Sequence, residues 1–201
     1  MTELKTAEAL RKVYGEVSPR AAIKVIRQFD HHCRKIIAHS PFYVIATSDG
    51  DMLDVSPKGD APGSVKVADD QTLLLPDWPG NRRIDGLLNI IKHPKVAMLF
   101  VIPNMKETLR VNGTASIHDD PELLNQFITN GKRPITVIKV KAEEIFSHCP
   151  KAFIRGNLWS PETWPDRAEL PTLAEMIRDH VKLAEAPDYP EDDEGWKPEL
   201  Y

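Results

Sequence analysis

Residues 72–85 read TLLLPDWPGNRRID, and the order of features in this stretch decides the fold. Thr72 to Leu75 is short and apolar, as a strand is. Pro76, Pro79 and Gly80 then break the pattern and mark a loop. Arg82 and Arg83 follow side by side. After them Ile84, Leu87, Leu88 and Ile91 recur at helical spacing, which predicts a short helix over 83–92. A strand feeding a glycine-containing loop and then a helix start suits an anion. Backbone N–H groups are free at a helix start. Guanidinium groups add planar, bidentate donors, and Asn81 can cap the helix or bond the anion itself. A solvated arginine pair at a helix start accounts for the same residues about as well, although positive charge there is mildly unfavourable without an anion.

Outward from this stretch, the middle of the chain is rich in strands. Residues 42–47 (FYVIAT) are β-branched and aromatic and close on the turn Ser48-Asp49-Gly50. A second short strand covers 52–55, and 56–64 (SPKGDAPGS) reads as a loop. A strand restarts at 65–67. Residues 95–102 (KVAMLFVI) form an unbroken apolar run, as in a strand buried on both faces. Further strands are expected over 108–117 and 135–140, with a helix from Pro121 to about Ile128. Six or seven strands with short helices between them point to an antiparallel barrel.

The ends differ. Ser18-Pro19 reads as an N-cap with proline at the first helical position. Ile23, Ile26, Phe29, Cys33, Ile36 and Ile37 then predict one helix over 19–38. Thr172 is expected to cap a helix running to Leu183. Residues 186–201 are acidic and proline-bearing, and read as a disordered tail or docking arm. The divisions expected are an N-terminal helical segment over 1–40, a barrel core over 41–160, and a C-terminal helix and tail over 161–201, in one domain overall.

Composition narrows the function. The 201 residues carry a net charge of −4, with 41% hydrophobic and 28% charged residues, as in an ordinary globular domain. That charge argues against nonspecific nucleic-acid binding. No apolar run approaches a membrane span, and the first residues lack the apolar core of a signal peptide. Two cysteines far apart, Cys33 and Cys149, read as free thiols in a reducing compartment, so a cytoplasmic location is expected. His31, His32 and Cys33 are consecutive on a helix and point in different directions, and the spacing to His148-Cys149 fits no common zinc pattern. No metal site is expected.

Two more segments hold candidate ligands. In Leu53-Asp54-Val55-Ser56-Pro57-Lys58-Gly59, backbone groups at a strand end can bond the polar edge of a flat heterocycle. Lys58 can meet that edge or a phosphate, and an ordinary turn with a surface lysine is the plainer alternative. In 106–113, strand alternation puts Thr108, Arg110 and Asn112 on one face, which lines either a groove or solvent.

The order of these segments resembles the split-barrel, FMN-binding family typified by pyridoxamine 5′-phosphate oxidase. The resemblance runs through Ser56-Pro57-Lys58, Gly80-Asn81-Arg82-Arg83, His93-Pro94-Lys95-Val96-Ala97-Met98-Leu99-Phe100 and Glu107-Thr108-Leu109-Arg110-Val111-Asn112-Gly113-Thr114-Ala115. It covers a little over a third of the chain and extends more loosely to Trp159. It implies a mainly β (α+β) fold, a six-stranded antiparallel split β-barrel with flanking helices. It implies FMN as cofactor, a homodimer with FMN at the subunit interface, and oxidoreductase chemistry on a small organic substrate, with no nucleic-acid or membrane partner. Where the family has a small residue, Arg and Lys on the phosphate, this chain has Asn81, Arg82 and Arg83. Val55, Ser56 and Lys58 fall at the flavin strand, and Thr108 where a glutamine meets the flavin. Lys151, Arg155 and Trp159 occupy the late segment that in the family crosses to the partner's site, and a short amphipathic helix packed on its own barrel is the alternative for it. Leu53 stands where the oxidase has an arginine, and its late Arg-x-His pair is missing. The resemblance is therefore to a flavoprotein branch distinct from the oxidase itself. A non-catalytic flavin carrier or sensor, or haem or deazaflavin on the same barrel, are the alternatives.

Overall fold

Seven strands pair antiparallel throughout, in the order β2-β1-β5-β6-β7-β4-β3, in a computed structural model that describes residues 3–183. They are β1 (Phe42–Ser48), β2 (Leu53–Gly59), β3 (Lys66–Val67), β4 (Thr72–Asp77), β5 (Lys95–Val101), β6 (Thr108–His118) and β7 (Thr136–His148). Seven helices flank them: α1 (Ala7–Tyr14), α2 (Pro19–Ile23), α3 (His31–His39), α4 (Asp85–Lys92), α5 (Pro121–Leu124), α6 (Lys151–Arg155) and α7 (Leu173–Leu183). The acidic stretch 186–201 lies outside the described residues.

The sheet curls back on itself. β2 is one edge, and β4 lies next to the other edge, yet Lys58 on β2 pairs with Asp77 on β4. Two strands so far apart in a flat sheet meet only if the sheet closes. The fold is the split barrel, with one strand more than the six expected because β3 adds a two-residue edge.

Alternation fills the inside. Tyr43 and Ile45 of β1, Val96, Met98 and Phe100 of β5, and Leu109 and Val111 of β6 share one core with Leu73, Leu75, Val140 and Ile145. Burying each large apolar side chain stabilises the fold by roughly 1.5–3 kcal/mol. β4 is covered on both faces: Leu74 packs outward with Leu124, Phe127 and Val137. β5, expected to be buried on both faces, is instead buried on one and half-covered on the other.

The single helix expected over 19–38 is two helices. Ser18 caps α2, accepting from the Ala21 N–H at 3.3 Å, but Ile26 then pairs with Ile145 through two backbone hydrogen bonds of 2.8 and 2.9 Å. Asp30 restarts the helix by accepting from the Cys33 N–H at 2.8 Å. A tertiary strand contact thus overrides a continuous helical pattern. Thr172 does cap α7, in a reciprocal box with Glu175. Among the described residues no helix is long and apolar enough to cross a membrane, and no group of three or more His, Cys, Asp or Glu is placed to hold a metal.

Candidate functional site

The seam of the barrel opens into a cleft of about 470 Å³. That is within the size range of small-molecule and cofactor sites. Its floor comes from Ile45 and Thr47 of β1 and Ile138 of β7; its walls are β2, the 77–84 loop and the start of α4.

β2 runs four residues further than the expected strand, because all of Leu53–Gly59 pairs with β1. Its pattern is inverted. Asp54, Ser56 and Lys58 face the cleft, whereas Leu53, Val55 and Pro57 face outward. Ser56 donates to Asp54 at 2.8 Å, and Lys58 pairs with Asp77. These polar residues line a groove where a core strand carries apolar ones.

The opposite wall is strained. Arg82 and Ile84 both have left-handed backbone, φ 62° and 50°. A β-branched residue in that region is a genuine outlier, and such strain persists only where the surroundings hold it. Asn81 accepts from the Arg83 N–H at 3.0 Å, closing a tight turn. It does not cap α4, which starts two residues later than expected, at Asp85. Ile84 stands at the cap position and offers no side-chain cap. The first N–H groups of α4 are therefore left without a side-chain acceptor beside the cleft. Gly86 lets α4 approach β2 closely: a Cβ there would meet the Asp54 carboxylate at 3.0 Å.

The two arginines differ. Arg83 forks onto Asp85 at 2.8 and 2.9 Å. Arg82 has no charged or hydrogen-bonded partner among the described residues. Three cations (Lys58, Arg82, Arg83) and three carboxylates (Asp54, Asp77, Asp85) line the cleft. Lys58 and Arg83 are each committed to a carboxylate, so the anion-binding capacity lies at the Arg82 end rather than along the whole groove.

Of the residues expected at the site, Ser56, Lys58, Asn81, Arg82 and Arg83 come together in this one cleft. The others do not. Val55 points outward and is 63% exposed. Thr108 is buried at the start of β6 and does not line the cleft. Lys151, Arg155 and Trp159 lie on and after α6, where the Trp159 indole donates to the Met105 carbonyl at 2.8 Å and its ring packs against Phe153. The sequence reading missed Thr47, Asp54, Asp77 and Asp85. Asp54 was within reach: polar residues at 54, 56 and 58 alternate with apolar ones in the strand period. Asp77 was not, because nothing local says that it meets β2.

A partnerless guanidinium, an uncapped helix start and a strained turn converge at one end, which suits a phosphate. The groove beyond it mixes apolar floor with hydrogen-bonding wall, which suits a flat heterocycle. Among the described residues lining it there is no histidine, cysteine or methionine, the side chains that most often ligate haem iron.

Residues 29–149, more than half of the chain, match the family model described as pyridoxamine 5′-phosphate oxidase. Solved structures of similar shape include HupZ from Group A Streptococcus, 22% identical, with 59% of this chain and 93% of that one covered and a TM-score of 0.48. General Stress Protein 26 from Bacillus anthracis str. Sterne is 22% identical over 56% of this chain and 88% of that one, with a TM-score of 0.44. A Clostridium acetobutylicum protein related to general stress protein 26, of the pyridoxinephosphate oxidase family, is 15% identical over 58% and 85%, with a TM-score of 0.43. No curated protein sequence matches significantly.

Proposed function

Since the chain belongs to the pyridoxamine 5′-phosphate oxidase family, whose members typically bind flavin, we propose that it is an FMN-binding oxidoreductase acting on a small organic substrate. The observation that carries this reading is the convergence of Ser56, Lys58, Asn81, Arg82 and Arg83 on one cleft at the barrel seam. FMN, when bound, supplies the redox chemistry, and the protein supplies position and charge.

The chain's own groups divide the work. Arg82 takes the phosphate by bidentate donation, and the first N–H groups of α4 reinforce it. Arg83 joins once it leaves Asp85. Ser56, Lys58 and the backbone around Val55 border the ring edge. The apolar floor of Ile45, Ile138 and Ile90 excludes water beneath it.

The same reading makes the protein a homodimer. The outward face of β2 is apolar and open: Leu53 is 80% exposed, and Met52 on the β1–β2 turn and Leu88 and Ile91 on α4 are also exposed. In such a dimer Lys151, Arg155 and Trp159 complete the partner's flavin site, since they lie away from their own cleft. Two unpaired cysteines suit the reducing environment of the cytoplasm.

The test is a binding isotherm for FMN against riboflavin, with the absorption spectrum of the freshly purified protein. FMN is expected to bind at least tenfold tighter than riboflavin, and Arg82→Ala to weaken FMN about ten- to a hundredfold. Arg83→Ala should cost less, because Asp85 already holds that side chain. Equal affinity for riboflavin and FMN, or an Arg82→Ala variant that stays loaded, rejects the phosphate site. Oxidation of NADH or NADPH by the yellow protein separates an enzyme from a carrier.

A further inference from the structure

Away from the arginine loop, β6 ends in Ser116-Ile117-His118 and leads through Asp119 to Asp120, where α5 begins. Strand alternation puts Ser116 and His118 side by side on one face. The Ser116 hydroxyl lies 2.8 Å from His118 Nε2, and the Asp120 carboxylate lies 3.6 Å from Nδ1 of the same ring. A hydroxyl, an imidazole and a carboxylate thus follow one another, each ring nitrogen facing a different partner.

Asp120 occupies the cap position of α5, where an aspartate ordinarily accepts from the first helical N–H groups. Its side chain makes no such bond, and its carboxylate stands beside His118 instead. An acceptor at Nδ1 selects the tautomer with the proton on Nδ1 and leaves Nε2 as the acceptor. Ser116 is then the donor, which is the arrangement that activates a serine oxygen. A cavity of about 500 Å³ adjoins the pair: Ser116 and His118 line it with Ile90 of α4 and with Ala115 and Ile117 of β6. The gap arises because β5 starts opposite Thr114, and the residue before it reaches only Ala115, whose N–H donates to the Pro94 carbonyl at 2.7 Å. Beyond Ala115 that edge of β6 has no strand beside it. Backbone alternation turns the next amide on this edge, that of Ile117, toward the gap. The Thr136 hydroxyl on the cavity wall is buried without a hydrogen-bond partner. Both are donors of the kind that stabilise a carbonyl oxygen as it gains charge.

We propose that Ser116, His118 and Asp120 form a second site, which hydrolyses an ester of a small apolar acid and takes its acyl group into this cavity. Ser116 Oγ attacks the carbonyl carbon as its proton passes to His118 Nε2. The carbon–oxygen bond to the alcohol then breaks, and the alcohol leaves with that proton. Water attacks the acyl-serine while giving a proton to His118; the acid departs, and Ser116 Oγ takes the proton back. Asp120 is a positioning residue, acting through His118. The reaction is independent of the flavin cleft.

The full chain is assayed with p-nitrophenyl butyrate. It is also treated with a fluorophosphonate, and the adduct is located by mass spectrometry. Continuous turnover after an initial burst of nitrophenol, and an adduct on Ser116, are expected. Ser116 is exposed, so Ser116→Ala is expected to keep the parent's circular dichroism while lowering kcat about a hundredfold. His118→Gln is expected to lower kcat by about the same factor. Asp120→Asn is expected to lower kcat about tenfold with KM and melting temperature unchanged, and Asp120→Glu to restore part of the loss. A fall in melting temperature with kcat unchanged would make Asp120 structural and overturn its role. An adduct on another residue, or hydrolysis that survives Ser116→Ala, overturns the site. So does release of a single equivalent of nitrophenol with no turnover, which is acylation of the surface alone.

Discussion

Arg82 and Ile84 carry the strain of the site, and single residues elsewhere in the fold carry pH and thiol behaviour. Asp49 closes the β1–β2 turn. The Met52 N–H first, then the Lys92 ammonium and the Asp51 N–H, hold its pKa down to about 2. The ordinary aspartate value is about 4. A depressed folded pKa contributes stability that is present above the unfolded value and is lost as pH falls through the folded one. That loss therefore belongs between about pH 4 and about pH 2. Asp49→Asn is expected to lower the melting temperature at neutral pH and to flatten its fall across that window. Thermal melts taken down the pH scale read both, and an unchanged slope counts against the turn network. The cysteines make a second test. Burial, with Asp30 alongside, pushes the Cys33 thiol up to about 12, whereas Cys149 is exposed. A thiol needs its thiolate form to react. A disulfide reagent should therefore titrate one cysteine per native chain and both after denaturation. Rapid reaction of both in the native protein would show that α3 is not packed as described.

At the scale of elements, β6 and β7 form the longest pair and need a glycine to do so. A bulge interrupts their register between Asn112 and Gly113, and a Cβ on Gly113 would sit 2.1 Å from the Lys141 carbonyl oxygen. Gly113→Ala has backbone against it rather than a flexible side chain. It is expected to destabilise by about 3 kcal/mol or more. Urea denaturation should show a lower midpoint with an unchanged slope, and an unchanged midpoint would mean the bulge relaxes freely. These elements also show what was legible in the sequence. Strand existence was, because β-branched and aromatic residues in 42–47, an unbroken apolar run in 95–102 and alternation in 108–117 are local signals. The further half of β7 was not. Residues 141–148 (KAEEIFSH) place Glu143 and Glu144 together, and only the bulge opposite accommodates them. The tail of β2 was hidden for another reason: Ser56, Pro57 and Lys58 look like a loop, and only pairing with Tyr43, Val44 and Ile45 makes them a strand. The helix break at 24–30 likewise depends on a partner, Ile145, that is far away in sequence. The arginine loop was readable because its chemistry is contiguous; the carboxylates facing it come from strands that only barrel closure brings near.

For the whole molecule, the inverted pattern of β2 is an argument about assembly. An edge strand that turns Leu53 and Val55 to solvent is a liability in a lone chain, because it offers both apolar surface and unpaired backbone. A second copy covering it removes both problems. A stable interface of this kind needs about 800 Å² from each partner, and Leu53 and Val55 of β2 and Leu88 and Ile91 of α4 are exposed apolar side chains that can contribute to it. Leu53→Asp tests the idea cleanly. The side chain is 80% exposed, so the substitution leaves the core of one chain untouched. In a dimer it places an unpaired carboxylate in an apolar contact, which costs several kcal/mol. Light scattering at micromolar concentration is expected to give twice the chain mass for the parent and the single mass for the variant, with circular dichroism unchanged. FMN titration of the same variant then asks where the site resides. Weakened binding means that Lys151, Arg155 or Trp159 of the partner complete it. Retained affinity in a monomeric Leu53→Asp places the whole flavin site within one chain, and a parent that is itself monomeric removes the dimer altogether.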